Sequence, residues 1–184
     1  MPMVSLASFP GSGNTWTRHL LEQLTGIQTG TIFEGVVADT FSGESICPTN
    51  NSVFLVKTHK IGAIAGRVRK FCPTHQTLQF EKAVYILRNP FNAFFSTYNL
   101  VRVGKTGSVS MDSIKNDAHF ENFATSRARS WSDHVMYWLK DFKEPVHVLV
   151  YERLKTDVLW EMFKLYEFLD VPVTLRSLWL KGEE

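Results

Sequence analysis

The sequence predicts an α/β fold in three layers, a central parallel sheet flanked by helices. Three observations lead there. Four short apolar runs, Val4–Phe9, Val53–Val56, Ala83–Leu87 and Val146–Tyr151, each stop at a polar or Gly/Pro break. Uninterrupted runs of Val, Ile, Leu and aromatic residues fit strands covered on both faces, as in parallel sheets. Stretches of helical periodicity lie between and after them, and strands alternating with helices define the α/β class.

The helical stretches can be justified one by one. Thr15–Leu24 sets Trp16, Leu20, Leu21 and Leu24 on one stripe. Phe91–Val101 follows the third run, and Asn89-Pro90 before it fits a helix entry, with Asn89 as cap and Pro90 at the first position. Ser126–Phe142 carries Trp131, Val135, Trp138, Leu139 and Phe142. Val158–Leu169 carries Leu159, Met162, Phe163, Tyr166 and Leu169. Gly35–Ser52 and Gly104–Asn116 read as irregular. There is no internal repeat, heptad pattern or low-complexity tract, and strand order is not encoded in any local pattern.

Composition narrows the function classes. With 184 residues, 44% hydrophobic and 21% charged, the chain reads as one globular domain over 1–184. A net charge of +2 is too small for general nucleic-acid binding, though it leaves room for a local anion site. Two cysteines, Cys47 and Cys72, make no disulfide framework and have no metal-ligand spacing; a single bridge stays open. No apolar run approaches the roughly 20 residues of a membrane span. The first residues lack the basic and apolar regions of a signal peptide.

Three motifs carry chemistry. The first run ends in "SFPGSGNTW", a strand, a glycine-rich turn and a helix start. Glycines let the backbone approach a ligand closely, and a helix N-terminus offers unpaired N–H groups and partial positive charge. Gly11, Ser12, Gly13, Asn14 and Thr15 therefore read as an anion cradle, although a capped tight turn fits the same residues. The lysine of a nucleotide-triphosphatase loop is missing, as is any dinucleotide fingerprint. The second run leads into "LVKTHK", which places Lys57, Thr58 and His59 just past a strand's carboxyl end, where open α/β sheets bind ligands. A histidine there can serve as a general base near neutral pH. The third run leads into "ILRNPFNAFFSTYN". Arg88 and Ser96, eight residues apart, can together hold one phosphate. The other five histidines read as structural, and no zinc-type spacing occurs.

In combination these segments resemble the family of sulfotransferases that use 3′-phosphoadenosine 5′-phosphosulfate (PAPS). "SFPGSGNTW" is similar to that family's 5′-phosphosulfate loop and "VKTH" to its segment with the catalytic histidine. "RNPFNAFFS" is similar to its 3′-phosphate segment, and "ARSWSDHVMYWL" followed by "VHVLVYERLKTD" to its later helix and strand. The resemblance runs in order over nearly the whole chain and is nearest to the group whose members carry WSC domains. That group sulfates sialic-acid-containing glycans; this chain has no cysteine-rich WSC module.

The resemblance implies a P-loop-like three-layer fold and transfer of a sulfuryl group from PAPS to a hydroxyl acceptor, a glycan or a small alcohol or phenol. From the residues themselves, no metal-ligand spacing, a small net charge and no membrane-length apolar run lead us to expect no metal, no nucleic acid and no membrane segment. His59 would take the acceptor proton and Lys57 would neutralise charge on the transferred group or leaving oxygen. Gly11 to Thr15 would hold the phosphosulfate, Arg88 and Ser96 the 3′-phosphate, and Trp16 would face either the adenine or the core. Tyr151, after the last run, has the same two readings.

Two departures shape the expectations. Many relatives carry a lysine where Gly11 stands, so its charge would have to come from Arg18 or Lys57. The family's basic-glycine loop over the nucleotide is not matched by Lys181-Gly182, so the chain reads as truncated there, with weak nucleotide binding expected. The rival readings are a catalytically silent binding module of the same fold and, further off, a P-loop phosphotransferase. Location reads as cytoplasmic, or as the Golgi lumen for a fragment of a membrane-anchored relative.

Overall fold

The structure, a computed structural model, describes residues 3–33, 41–48, 53, 55–59, 78–104, 109–114 and 117–171. Among them, five strands form one sheet in which every pairing is parallel: β1 (Val4–Ser8), β2 (Thr29–Thr31), β3 (Leu55–Thr58), β4 (Lys82–Leu87) and β5 (Val146–Val150), in the order β2-β3-β1-β4-β5. The helices are α1 (Asn14–Thr25), α2 (Pro90–Val103), α3 (Met111–Ile114), α4 (Ala118–Met136), α5 (Tyr151–Thr156) and α6 (Val158–Phe168). The α/β class and the layered parallel sheet are as the sequence predicts.

Side chains alternate across the central strands, and this builds a core on each face. Val4 and Leu6 of β1, Val84 and Ile86 of β4 and Leu149 of β5 meet Leu21 of α1, Leu154 of α5 and Met162, Leu165 and Tyr166 of α6. On the opposite face Ala7, Ala83 and Tyr85 meet Trp138, while Phe9, Ala93 and Phe94 meet Phe120, Phe123 and Trp131. Central strands covered on both sides explain the near-continuous apolar runs.

Several boundaries differ from the sequence expectation. β3 begins two residues later, at Leu55, and runs through Thr58. Lys57 and Thr58 are therefore paired with Leu6 and Ala7 of β1 rather than lying past the strand, and only His59 follows it. β2 was not expected. Its "TGT" is no apolar run, yet all three residues are buried. α4 starts at Ala118, eight residues before the predicted helix, with Asp117 capping the His119 N–H, and passes into a π-helical turn at Tyr137–Asp141. Tyr151 opens α5 instead of closing a strand. Asn89 caps α2 as expected, accepting from the N–H groups of Phe91 and Asn92 at 3.0 and 3.4 Å. Of the two stretches read as irregular, residues 35–40, 49–52, 105–108 and 115–116, like Lys181-Gly182, lie outside the described residues, while Ser42–Ser45 forms a 3-10 turn and Met111–Ile114 the short helix α3. Cys47 is disulfide-bonded.

Candidate active site

β1 is the switch point of the sheet, with β3 on one side and β4 on the other. The carboxyl ends of β1, β3, β4 and β5 deliver the phosphate loop, His59, Arg88 and Tyr151 to one edge. There they line a cleft of about 820 Å³ together with Asn14, Thr15, Trp16, Lys57 and Ser96. That volume is in the range of small-molecule sites. No carboxylate is among its described lining residues, whereas Lys57 and Arg88 are. The cleft therefore favours an anion.

The loop owes its shape to two glycines in the left-handed region. Gly11 has φ +79°, and a Cβ there would sit 2.4 Å from the Ala93 carbonyl oxygen and 2.5 Å from Thr97 Oγ1. The loop backbone thus rests on α2, and a side chain at this position, lysine included, does not fit the arrangement. Gly13 has φ +91° and lies against the Tyr151 ring, 2.4 Å from a would-be Cβ. The first N–H groups of α1, from Asn14 onward, have no intrahelical partner and open the helix toward the cleft. The Ser12 N–H is already engaged by the Phe9 carbonyl at 3.2 Å. The Ser12 side chain is buried, with its hydroxyl lacking a hydrogen-bond partner.

The Asn14 side chain points inward, donating through Nδ2 to the Leu6 carbonyl and to Ser8 Oγ, both at 3.1 Å. It shapes the loop from beneath. Thr15 is exposed at the rim. Trp16 packs on the core beside α6 and also lines the cleft, edge-on to Tyr151 at 5.8 Å.

His59 has a defined tautomer. Its Nδ1 lies 2.7 Å from the Ser8 carbonyl, which can only accept, so Nδ1 carries the proton and Nε2 is the basic nitrogen. Ser8 Oγ adds a second, longer contact at 3.2 Å, and the Phe33 ring lies 5.4 Å away. Burial pushes the imidazole down to about 4, the Lys57 cation adds to this, and the Ser8 bond opposes it in part. His59 is neutral at pH 7.

Arg88 joins the two ends of the cleft. It donates through NH1 to the Gly11 carbonyl at 2.5 Å, and its guanidinium lies 4.2 Å over the Tyr151 ring. Its Nε is buried without a partner. Ser96 and Thr97, on the facing turn of α2, line the same wall.

Arg18 is removed from consideration as a source of charge for the loop. It is fully buried, bonds Thr29 twice, pairs with Glu44 at 2.5 Å and stacks on Phe41. It ties α1 to β2 and to the 3-10 turn Ser42–Ser45. Lys57 is the alternative that does line the cleft.

Sequence reasoning missed Pro10, His19, Phe33, Thr97 and Leu100 as lining residues. His19 falls one turn after Thr15 on α1 and Thr97 directly follows Ser96, so helical spacing could have found them. Phe33 follows the unpredicted β2 and left no local signal. No group of three or more His, Cys, Asp or Glu able to hold a metal occurs among the described residues.

Comparison with known proteins places the chain in a family. The sulfotransferase domain family model matches residues 2–181. WSCD family member CG9164 of Drosophila melanogaster is 34% identical over 175 residues, covering 93% of this chain and 51% of that protein. Sulfotransferase 1A1 of Bos taurus is 28% identical over 180 residues, covering 89% and 57%. The crystal structure of mouse sulfotransferase SULT7A1 complexed with PAP superposes with a TM-score of 0.62 at 18% identity, covering 99% of this chain and 63% of that one. The chain spans about half the length of the WSCD proteins it matches.

Proposed function

Because this chain belongs to the sulfotransferase family, we propose that it moves a sulfuryl group from PAPS to an acceptor hydroxyl, with His59 as the base. The observation that carries the reading is the His59 imidazole. It is held in one tautomer by the Ser8 carbonyl, in the same carboxylate-free cleft as the glycine loop, Lys57 and Arg88.

Sulfuryl transfer is largely a matter of position and electrostatics. The acceptor oxygen attacks sulfur in line, the bond from sulfur to the phosphate oxygen breaks, and the acceptor proton passes to His59 Nε2. The departing adenosine 3′,5′-bisphosphate takes the electron pair on its 5′-phosphate. The N–H groups at the start of α1 and the Lys57 ammonium meet that charge. A dianionic donor beside His59 raises its proton affinity, so a group that is neutral in the free protein becomes a better base once the donor is bound. Arg88, with an unused buried Nε, and Ser96 form the 3′-phosphate site. Tyr151 and Trp16 wall the nucleotide.

The acceptor is a hydroxyl compound, and a glycan is the class implied by the resemblance of the motifs to the WSC-domain group. The Cys47 disulfide suits an oxidising compartment such as the secretory lumen. No described helix is long and apolar enough to cross a membrane.

Calorimetric titration tests the donor class. Adenosine 3′,5′-bisphosphate is expected to bind at least about 10-fold more tightly than ADP, equivalent to about 1.4 kcal/mol. Equal or tighter binding of ADP would remove the basis for a PAPS donor.

A further inference from the structure

Asn14 opens α1 at the end of the glycine loop, yet its side chain is engaged beneath the loop, on β1. Nδ2 donates to the Leu6 carbonyl and to Ser8 Oγ, both at 3.1 Å. The carbonyl can only accept, so that bond fixes which way the amide faces. Oδ1 is buried without a partner among the described residues, so the donating end alone holds the side chain. Asn14 is buried and Ser8 completely so, and water does not compete for these bonds. Ser8 stands where the sheet stops supporting β3. The pairing of β1 with β3 ends at Ala7 and Thr58, while Ser8 is still paired with Ile86 of β4. His59 is the next residue after Thr58, and its ring takes over where the ladder ends. Nδ1 lies 2.7 Å from the Ser8 carbonyl and 3.2 Å from Ser8 Oγ.

We infer that Asn14 is a positioning residue for His59 and acts through Ser8: its amide pins the Ser8 hydroxyl as a second acceptor for the His59 Nδ1–H. A serine hydroxyl is a rotor with one proton and two lone pairs. The Asn14 Nδ2–H takes one lone pair, and the other is left for Nδ1–H. A bond to the Ser8 carbonyl alone leaves the imidazole free to pivot about that bond. The second acceptor limits the pivot and so fixes the direction of the basic Nε2. Donor site and base are thereby tied to one residue. The main-chain N–H of Asn14 belongs to the unpaired helix start that meets the phosphosulfate, while its side chain sets the base. Alanine at this position keeps the first of these functions and removes the second.

The inference rests on His59 acting as the base, and the experiment separates the two. Turnover, affinity for adenosine 3′,5′-bisphosphate and the ring 15N shifts of His59 are measured for wild type, Asn14→Ala, Ser8→Ala, the double variant and Ser8→Thr. In Asn14→Ala and in Ser8→Ala, kcat is expected to fall about 10-fold or more with affinity unchanged, since small misplacements of a reacting group are costly. The His59 shifts should move from one tautomer toward an average of two, because Nδ1–H has lost an acceptor. The double variant should be no worse than either single one, as residues acting in series are not additive. Ser8→Thr, which keeps the hydroxyl, should recover most of kcat and of the shifts. A folded Asn14→Ala with wild-type kcat and unchanged His59 shifts would overturn the inference. So would losses that add in the double variant, or a weaker nucleotide affinity at unchanged kcat, which would make the Asn14 side chain a donor ligand. If wild type shows no turnover, the base assignment fails, and the His59 shifts of Asn14→Ala decide alone: moved shifts support the brace and unchanged shifts overturn it. If Asn14→Ala does not fold, Ser8→Ala decides, and wild-type kcat and shifts in that variant would count against the brace.

Discussion

Replacing Arg88 by alanine probes the 3′-phosphate assignment. In the structure the guanidinium makes one hydrogen bond to the loop, to the Gly11 carbonyl at 2.5 Å, and stacks on Tyr151 at 4.2 Å. Its Nε is buried and unpartnered. A phosphate beside Ser96 would gain a charge-assisted contact, and losing that contact costs about 1.5–3 kcal/mol. This corresponds to a roughly 10- to 150-fold weaker Kd for adenosine 3′,5′-bisphosphate. Adenosine 5′-monophosphate has no 3′-phosphate. It should lose only what the Gly11 contact contributes to loop order, about 0.5–1.5 kcal/mol or roughly 2- to 10-fold. Arg88→Lys should rescue little, because an ammonium cannot reproduce the planar fork that bonds Gly11 and lies flat on Tyr151. Calorimetry with both nucleotides reads the difference directly. Equal losses for the two ligands would refute the assignment and make Arg88 a support for the loop alone.

Two further outcomes follow from buried charges. Glu44→Ala strands the Arg18 guanidinium inside the protein. Leaving one partner of a buried pair uncompensated costs about 3–5 kcal/mol, and urea unfolding should show it; a loss under about 1 kcal/mol would mean the pair contributes little. Acid should destabilise the fold through His59 and His134. Both are pushed down to about 4 chiefly by burial, below the unfolded value of 6.5, so the unfolded chain binds more protons between these limits. Their contribution is complete above about pH 6.5 and lost as pH falls toward 4. It is on the order of 3 kcal/mol per histidine, and the two sum to less than double because they face each other. Denaturant midpoints that do not change over that window would contradict this.

What was legible in the sequence follows the division between local and long-range order. β1 and β4 are covered on both faces, so their burial writes itself as apolar runs, and the phosphate loop follows because the glycines and helix start are contiguous. β2 was illegible. Thr29–Thr31 is buried through Arg18, Glu22 and Glu44, partners that no local window connects. Arg18 itself interrupts the apolar stripe of α1 yet is more deeply buried than Leu21, since its charge is matched by a residue 26 positions away. β3 was placed two residues early because its polar end, Lys57 and Thr58, looks like a strand terminus until pairing with β1 is known. The helical reading of 126–142 omitted the first turns of α4, where Phe120 and Phe123 pack on α2 rather than on the sheet. His59 stood out by its place after a strand. The burial of His134 did not, because its partner Tyr85 lies 49 residues away in sequence.

The most direct test of the central claim is transfer of labelled sulfate from PAPS to a panel of glycan and phenol acceptors by wild type and His59→Ala. His59→Ala is expected to fold and bind adenosine 3′,5′-bisphosphate as wild type does, while turnover falls about 100-fold or more, the usual contribution of a general base. Equal transfer by the two proteins would contradict His59 as the base. Absence of transfer by wild type that still binds the nucleotide would make the chain a silent binding module of the sulfotransferase fold.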